Sequence, residues 1–254
     1  MLEPNRFMFF TLVLMRISGM ILFNPILGRR NVPAVVKAGM IMALTIIVSS
    51  FYNGTIEQPN TILEYGVLLL KECAIGYIAG FVISLFLYII ILAGEFIDMQ
   101  LGLSMAKVYD SQSNASISMS ATLYNILYML AFFALNGHIA LLHAILTSSE
   151  VIPYGEVVFN QAAYQRIWDI FIQCTILGIQ LSFPILAAEL ICEMGVGILM
   201  KTIPQINVFV INIQAKVLIG ILILLMMFVP MEEFIRDLIP QTIDSFKEML
   251  EFLK

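Results

Sequence analysis

Six long apolar runs dominate this chain, and their length dictates what it folds into. They cover about residues 7–24, 38–52, 65–94, 121–146, 170–191 and 208–229. A helix needs about 20 mostly apolar residues to cross the hydrocarbon core of a bilayer. The composition agrees: of 254 residues, 60% are hydrophobic and 12% charged, with a mean hydropathy of +0.95. Soluble domains are about 45–50% apolar and about 25% charged, so a soluble or disordered chain is excluded. A net charge of -5 leaves no basic footprint for phosphates, which excludes a nucleic-acid binder. The sequence predicts an all-α, multi-pass helical membrane protein with about six apolar segments. Six spans would place both termini on one side.

The connections differ in character. Residues 25–37 are short and basic, with Arg29, Arg30 and Lys37. Residues 53–64 are polar, with Gly54 and Pro59; residues 95–120 are long and rich in Ser and Asn. Residues 147–169 carry Pro153 and Gly155, and residues 192–207 are rich in glycine and charge. Beyond Pro230, the positions Ile243, Phe246, Leu250 and Leu253 recur at helical spacing, separated by Asp244, Lys247, Glu248 and Glu251. Pro240 is expected to begin that last helix. The opening Met1-Leu2-Glu3-Pro4-Asn5-Arg6 lacks a basic n-region, so the first run reads as a retained helix rather than a cleaved signal.

Basic residues in the connections normally orient a membrane protein. Here Arg6, Arg166, Arg236, Lys247 and Lys254 fall on the terminal side, against Arg29, Arg30, Lys37, Lys107 and Lys201 on the other. The two sets balance. Two readings follow: an uninformative charge pattern, or helices that do not sit in the bilayer as simple spans.

Ionisable residues inside apolar runs cost about 2.5–3.5 kcal/mol each on insertion scales, and so must face protein, water or one another. Arg16, Lys71, Glu72, Glu189, Glu193 and Lys216 all pose this problem. Glu189 and Glu193 lie one helical turn apart on one face. Inter-helix ion pairs or snorkelling from helix ends answer the problem structurally; a water-lined path or a subunit interface answers it functionally. Gly76 and Gly80 form a GxxxG pair suited to close helix contact, and Gly195 and Gly197 either repeat that role or loosen their helix. The most unusual stretch is 94–120, which opens with Glu95, Asp98 and Gln100 and ends in Ser111, Ser113, Asn114, Ser116, Ser118 and Ser120. Polar irregular backbone beside spans lies in water, lines a cavity or is buried in protein. A solvent loop and a re-entrant or pore-lining segment both fit.

Catalytic chemistry finds little support. Cys73, Cys174 and Cys192 are odd in number and lack metal-ligand spacing, so neither a disulfide framework nor a zinc site is expected. Gly102-Leu103-Ser104-Met105 invites comparison with the GxSG of rhomboid-type proteases, with His138 or His143 as base. The second glycine is missing and no oxyanion donor set is evident. No phosphate-binding loop occurs, and two histidines with scattered carboxylates make no metal site. No cofactor is expected, and the chain is read as no enzyme. An ion- or proton-coupled transporter using Glu95, Asp98, Glu189 and Glu193 is the alternative reading, although no repeat is evident.

Two stretches carry a resemblance. One is Gly94-Glu95-Phe96-Ile97-Asp98-Met99-Gln100-Leu101-Gly102-Leu103-Ser104-Met105-Ala106, followed by Asp110. The other runs from Glu193 through Gly195, Gly197, Lys201, Pro204, Gln205 and Asn207 to Phe209. Together they resemble the FliR family of flagellar type III export-gate proteins and its virulence-injectisome relatives, over essentially the whole chain. The acidic form of the first motif looks more flagellar than injectisome. The family often has Asp-Pro where this chain has Asp110-Ser111, which bears on the rigidity of that loop.

The resemblance implies a subunit of the export-gate core, in the bacterial inner membrane at the flagellar basal body. It implies FliP and FliQ as partners in a helical hetero-oligomer of hairpins, with FlhB and FlhA nearby and lipid around. Unfolded flagellar subunits would pass through its channel. It further implies a FliP-like half over 1–120 ending in a plug-like loop, helical hairpins with a FliQ-like second half over 121–230, and an amphipathic tail over 231–254. The plug-like loop would be Lys107, Asp110, Ser111, Ser113, Asn114, Ser116 and Ser118. Gly94, Glu95, Asp98, Gln100 and Gly102 would anchor it or contact neighbouring subunits. Glu193, Gly197, Lys201, Pro204, Gln205, Asn207 and Phe209 would form a FliQ-like turn that meets partners.

Overall fold

The computed structural model describes residues 4–51, 59, 61–103, 118–155, 160–202 and 208–253. Among them the chain forms eight helices: α1 (Pro4–Leu22), α2 (Ala34–Phe51), α3 (Ile62–Leu101), α4 (Met119–Ala134), α5 (Gly137–Val151), α6 (Gln161–Thr202), α7 (Val208–Met226) and α8 (Phe228–Phe252). No strand occurs among the described residues. The all-helical class expected from the apolar runs is what the structure shows.

Length decides how these helices relate to a bilayer. At 1.5 Å per residue, the 40 residues of α3 extend about 60 Å, roughly twice a hydrocarbon core. The 42-residue α6 is similar. Among the described residues three helices (α2, α3 and α6) are long and apolar enough to cross a membrane, or up to five if each of two broken pairs counts as one span. These candidate spans are fewer and longer than the six apolar runs, as in the reading in which the helices are not simple spans. The fourth apolar run is not one helix: it breaks between α4 and α5 at Leu135 and Asn136, where Asn136 adopts φ 57. Asn is among the few residues that enter the left-handed region at modest cost.

The last helix also differs from expectation. Pro240 lies inside α8, which starts at Phe228. A proline there removes one backbone donor and crowds the carbonyl four residues back. The helix continues because its apolar stripe is buried on both sides of the proline: Ile235 and Leu238 before it, Phe246, Met249 and Leu250 after it.

The chain forms two compact units: one of Met1–Phe86, Asn136–Phe171 and Pro240–Lys254, the other of Leu87–Leu135 and Ile172–Ile239. The first unit is built around α1, whose buried side Leu12, Val13, Ile17, Met20 and Ile21 is apolar except for Arg16. Its close contact is a glycine seam with α3. A Cβ on Gly19 would stand 2.7 Å from the Cys73 carbonyl oxygen, and one on Gly76 would meet the Gly19 Cα and the Arg16 carbonyl. Gly80 lies against Phe23, whose ring meets Tyr77 edge-on at 4.7 Å. The GxxxG pair is thus a helix contact. Gly195 and Gly197, by contrast, have open space around them.

Candidate functional site

In the second unit the end of α3 is tied to the start of α4. The first amides of a helix lack intrahelical partners and need others. Here the orphan amides of Met119, Ser120 and Ala121 all find partners, and Thr122 makes the first bond of the helix itself. The Met119 amide donates to Asp98 Oδ2 at 2.6 Å and the Ser120 amide to Asp98 Oδ1 at 3.3 Å. The Ala121 amide donates to the Ser118 hydroxyl at 2.9 Å, and the Thr122 amide to the Ser118 carbonyl at 3.0 Å. The Ser120 hydroxyl adds a third bond to Asp98, at 2.6 Å. Asp98 is fully buried, and its negative charge sits at the positive end of the α4 dipole.

Gly94 permits this approach, since a Cβ there would run into the Ala121 backbone. Gly102 ends the arm with φ +76, a conformation glycine adopts without strain. Its amide returns to the Met99 carbonyl at 3.2 Å. The Ser/Asn-rich segment therefore leaves a helix terminated by glycine and re-enters a helix clamped by Asp98.

The second unit holds another polar group, on α6 and α7. Lys216 Nζ lies 2.7 Å from Glu193 Oε1, with both side chains partly exposed. One turn earlier on α6, Glu189 is fully buried, and neither of its carboxyl oxygens has a hydrogen-bond partner among the described residues. A Cβ on Gly220 would come within 3.0 Å of Glu189 Oε1. Glu193 thus faces Lys216 while Glu189 faces Gly220, one turn further along α7.

In the first unit Arg16 and Glu72 form a saturated cluster. Arg16 Nε donates to Glu72 Oε2 at 2.5 Å with both side chains fully buried. Its terminal nitrogens reach the carbonyls of Ile152 at 2.7 Å, Pro153 at 3.4 Å and Ser148 at 3.5 Å. The guanidinium lies 4.1 Å from the Tyr154 ring centroid. The second Glu72 oxygen accepts the Gly155 amide at 2.9 Å. This is the ion-pair answer to a charge in an apolar run, and it binds α1, α3 and the chain after α5 together. Nothing in the sequence pointed to Tyr154 or to the three carbonyls, because backbone acceptors carry no residue signature.

The candidate residues of the sequence distribute unevenly. Gly94, Asp98 and Ser118 meet at the α3–α4 junction, Gly102 follows the end of α3 in open space, and Glu95 and Gln100 are half-buried on the last turns of α3. Lys107, Asp110, Ser111, Ser113, Asn114 and Ser116 lie outside the described residues, as do Pro204, Gln205 and Asn207. Phe209 lies on α7. On α6, Gly197 and Lys201 are exposed, and Glu193 pairs with Lys216. Among the described residues no group of three His, Cys, Asp or Glu side chains is placed to hold a metal ion.

Long apolar helices, a buried ion pair between two of them and wide exposed apolar faces define an all-helical, multi-pass membrane protein. The family described as bacterial export proteins, family 1, matches residues 7–242, and the chain belongs to it. It is similar to the flagellar biosynthetic protein FliR of Bacillus subtilis (strain 168), at 29% identity over 247 residues, covering 95% of this chain and 94% of that protein. It is also similar to FliR of Escherichia coli (strain K12), at 27% identity over 208 residues, with 82% and 79% covered. FliR of Aquifex aeolicus (strain VF5) is 27% identical over 211 residues, with 83% and 81% covered. The family resemblance seen in the two motifs is therefore shown along most of the chain. It is a family of flagellar export components and not of enzymes.

Proposed function

We propose that this chain is a core subunit of the flagellar type III export gate and that, with FliP and FliQ, it forms the channel through which unfolded flagellar subunits cross the bacterial inner membrane. The family and the relatives named above support the flagellar export setting. The observation that carries the channel reading is the Asp98 junction. A polar, nearly uncharged segment sits between a glycine-terminated helix and a helix start that consumes three donors on one buried carboxylate. Such a segment, residues 107–118, suits a plug: polar enough to be wetted, and able to move without stranding a buried ion.

The exposed apolar faces support partners. Ile191, Met194, Ile198 and Leu199 on α6 and Leu225 and Met226 on α7 are mostly exposed, each above 60%. Lipid and neighbouring subunits would cover them. In this reading residues 1–120 are the FliP-like half, 121–230 carry the FliQ-like half and 231–254 the tail. The turn around Glu193, Gly197, Lys201, Pro204, Gln205, Asn207 and Phe209 meets the next subunit, with FlhB and FlhA close by in the basal body. Opening is a change between two arrangements of a packed assembly, with no chemical step.

The test is native mass spectrometry in mild detergent after co-expression with the neighbouring membrane genes. A complex of one copy of this chain with several copies of two small membrane proteins is expected. A monomer or homo-oligomer that retains no partner would overturn the gate reading in favour of an ion-coupled transporter.

A further inference from the structure

The carboxylates carried on the apolar helices are not equivalent in the structure. Asp98 accepts three hydrogen bonds from the first turn of α4. Glu72 is shared between Arg16 and the Gly155 amide. Glu193 holds Lys216. Glu189 alone among these is fully buried with neither oxygen bonded among the described residues. Its surroundings explain why. The backbone opposite is Gly220, which offers no side chain, and the same spot is closed by Leu101. The charged groups acting on it are Lys216 of α7 and Glu193 of its own helix, and these two are already engaged with each other.

A carboxylate without hydrogen bonds in an apolar site is far less stable than the neutral acid, which has no charge to solvate. We propose that Glu189 is a proton-binding site: it is the neutral acid in the arrangement described, and on losing its proton it competes with Glu193 for Lys216. The geometry supplies the second state. Glu189 opposes Gly220 and Glu193 opposes Lys216, so α6 and α7 run antiparallel in register here. Displacing one helix past the other by a single turn, about 5.4 Å, would bring Lys216 opposite Glu189. The ligand is a proton from water, and the device is an exchange of one lysine between two carboxylates. This inference stands on the α6–α7 geometry and holds whether or not the chain conducts protein.

The test is pH-difference infrared spectroscopy on the full chain in detergent, with Glu189→Gln as the subtraction variant. Gln has the shape of the neutral acid and is expected to leave the fold intact; Glu189→Leu serves as a second subtraction if Gln lowers the yield. The wild type is expected to show a protonated-carboxyl stretch near neutral pH that both variants lack. That band should fade as the pH is raised, because deprotonation removes the carboxyl that carries it. Lys216→Met, which removes the competing cation, is expected to hold the band to higher pH. The absence of any such band down to about pH 5, or a band that survives unchanged in both variants, would overturn the proposal.

Discussion

Arg16 and Glu72 are 56 positions apart in the chain, yet their side chains meet at 2.5 Å with no solvent exposure on either. Removing one member of a buried pair leaves the other charged and unpaired, which costs about 3–5 kcal/mol. Glu72→Ala and Arg16→Leu are therefore each expected to abolish accumulation of the chain or to lower its unfolding temperature sharply in detergent. The double variant Arg16→Met with Glu72→Leu should recover part of that loss, because two apolar side chains leave no stranded ion. A double variant as unstable as the sum of the two single changes would refute the pairing.

The glycine seam makes a separate prediction, independent of charge. Gly76→Val places a branched side chain against the backbone of α1, where even a Cβ meets the Gly19 Cα at 2.8 Å. Overpacking of this kind costs about 1–3 kcal/mol or more. Gly195→Ala meets nothing within 4 Å and gains up to about 1 kcal/mol of helix propensity. Thermal unfolding in detergent should rank Gly195→Ala at or above the wild type and Gly76→Val well below it. Equal effects would mean that the seam is not a close contact.

At the α3–α4 junction, Asp98→Ala removes the acceptor for two amides and a hydroxyl. Losing a helix cap costs about 0.5–2 kcal/mol, and bonds to a charged acceptor are worth about 1.5–3 kcal/mol each. Hydrogen exchange at the amides of Met119 and Ser120 should accelerate by at least about tenfold, while the Ala121 amide, held by Ser118, changes less. Asp98→Asn keeps an acceptor oxygen and is expected to fall between. Uniform acceleration along α4 would indicate general destabilisation instead of a lost cap.

Much of this architecture was legible because apolar length and helical spacing act locally. The runs at 7–24, 38–52 and 65–94 became α1, α2 and α3, and the stripe of Phe246 and Leu250 became a buried face. What escaped was decided by single residues acting against a pattern. Asn136 breaks an apolar run that hydropathy reads as continuous. Pro240, which reads as the start of a helix, lies inside one whose burial on both sides outweighs one missing hydrogen bond. The cost of burial marks the polar positions in the sequence, but not their pairings. Arg16 with Glu72 and Lys216 with Glu193 depend on which helices meet, and the spacing of charges along the chain leaves that open. The motif points to Asp98 as an anchor; its work as the cap of a helix that starts 21 residues further on is visible only in three dimensions.

Lys201 and Glu193 share α6, but Glu193 takes Lys216 as its partner, and Lys201 is left exposed. An exposed lysine contributes little to the fold of its own chain. Lys201→Glu is therefore expected to leave the unfolding temperature of the isolated chain unchanged. In the gate reading it should weaken recovery of the hetero-oligomer and reduce swarming in soft agar of a strain carrying only this copy. Normal assembly and normal secretion would remove Lys201 from the partner surface.

The plug proposal yields the most direct physiological test. The segment of residues 107–117 lies between two helix ends that Asp98 of α3 ties together directly, at a start of α4 that Ser118 also caps. Shortening it should therefore leave both helices in place while withdrawing polar bulk from the proposed channel. A chain in which this stretch is replaced by a short Gly/Ser linker is expected to assemble with its partners at wild-type yield. Cells expressing that gate should lose membrane potential, measured with a potential-sensitive dye, and should leak potassium. The leak should require co-expression of all gate subunits, because a channel exists only in the assembly. An assembled gate with the shortened segment and no increase in leak would assign that segment to some task other than closing the channel.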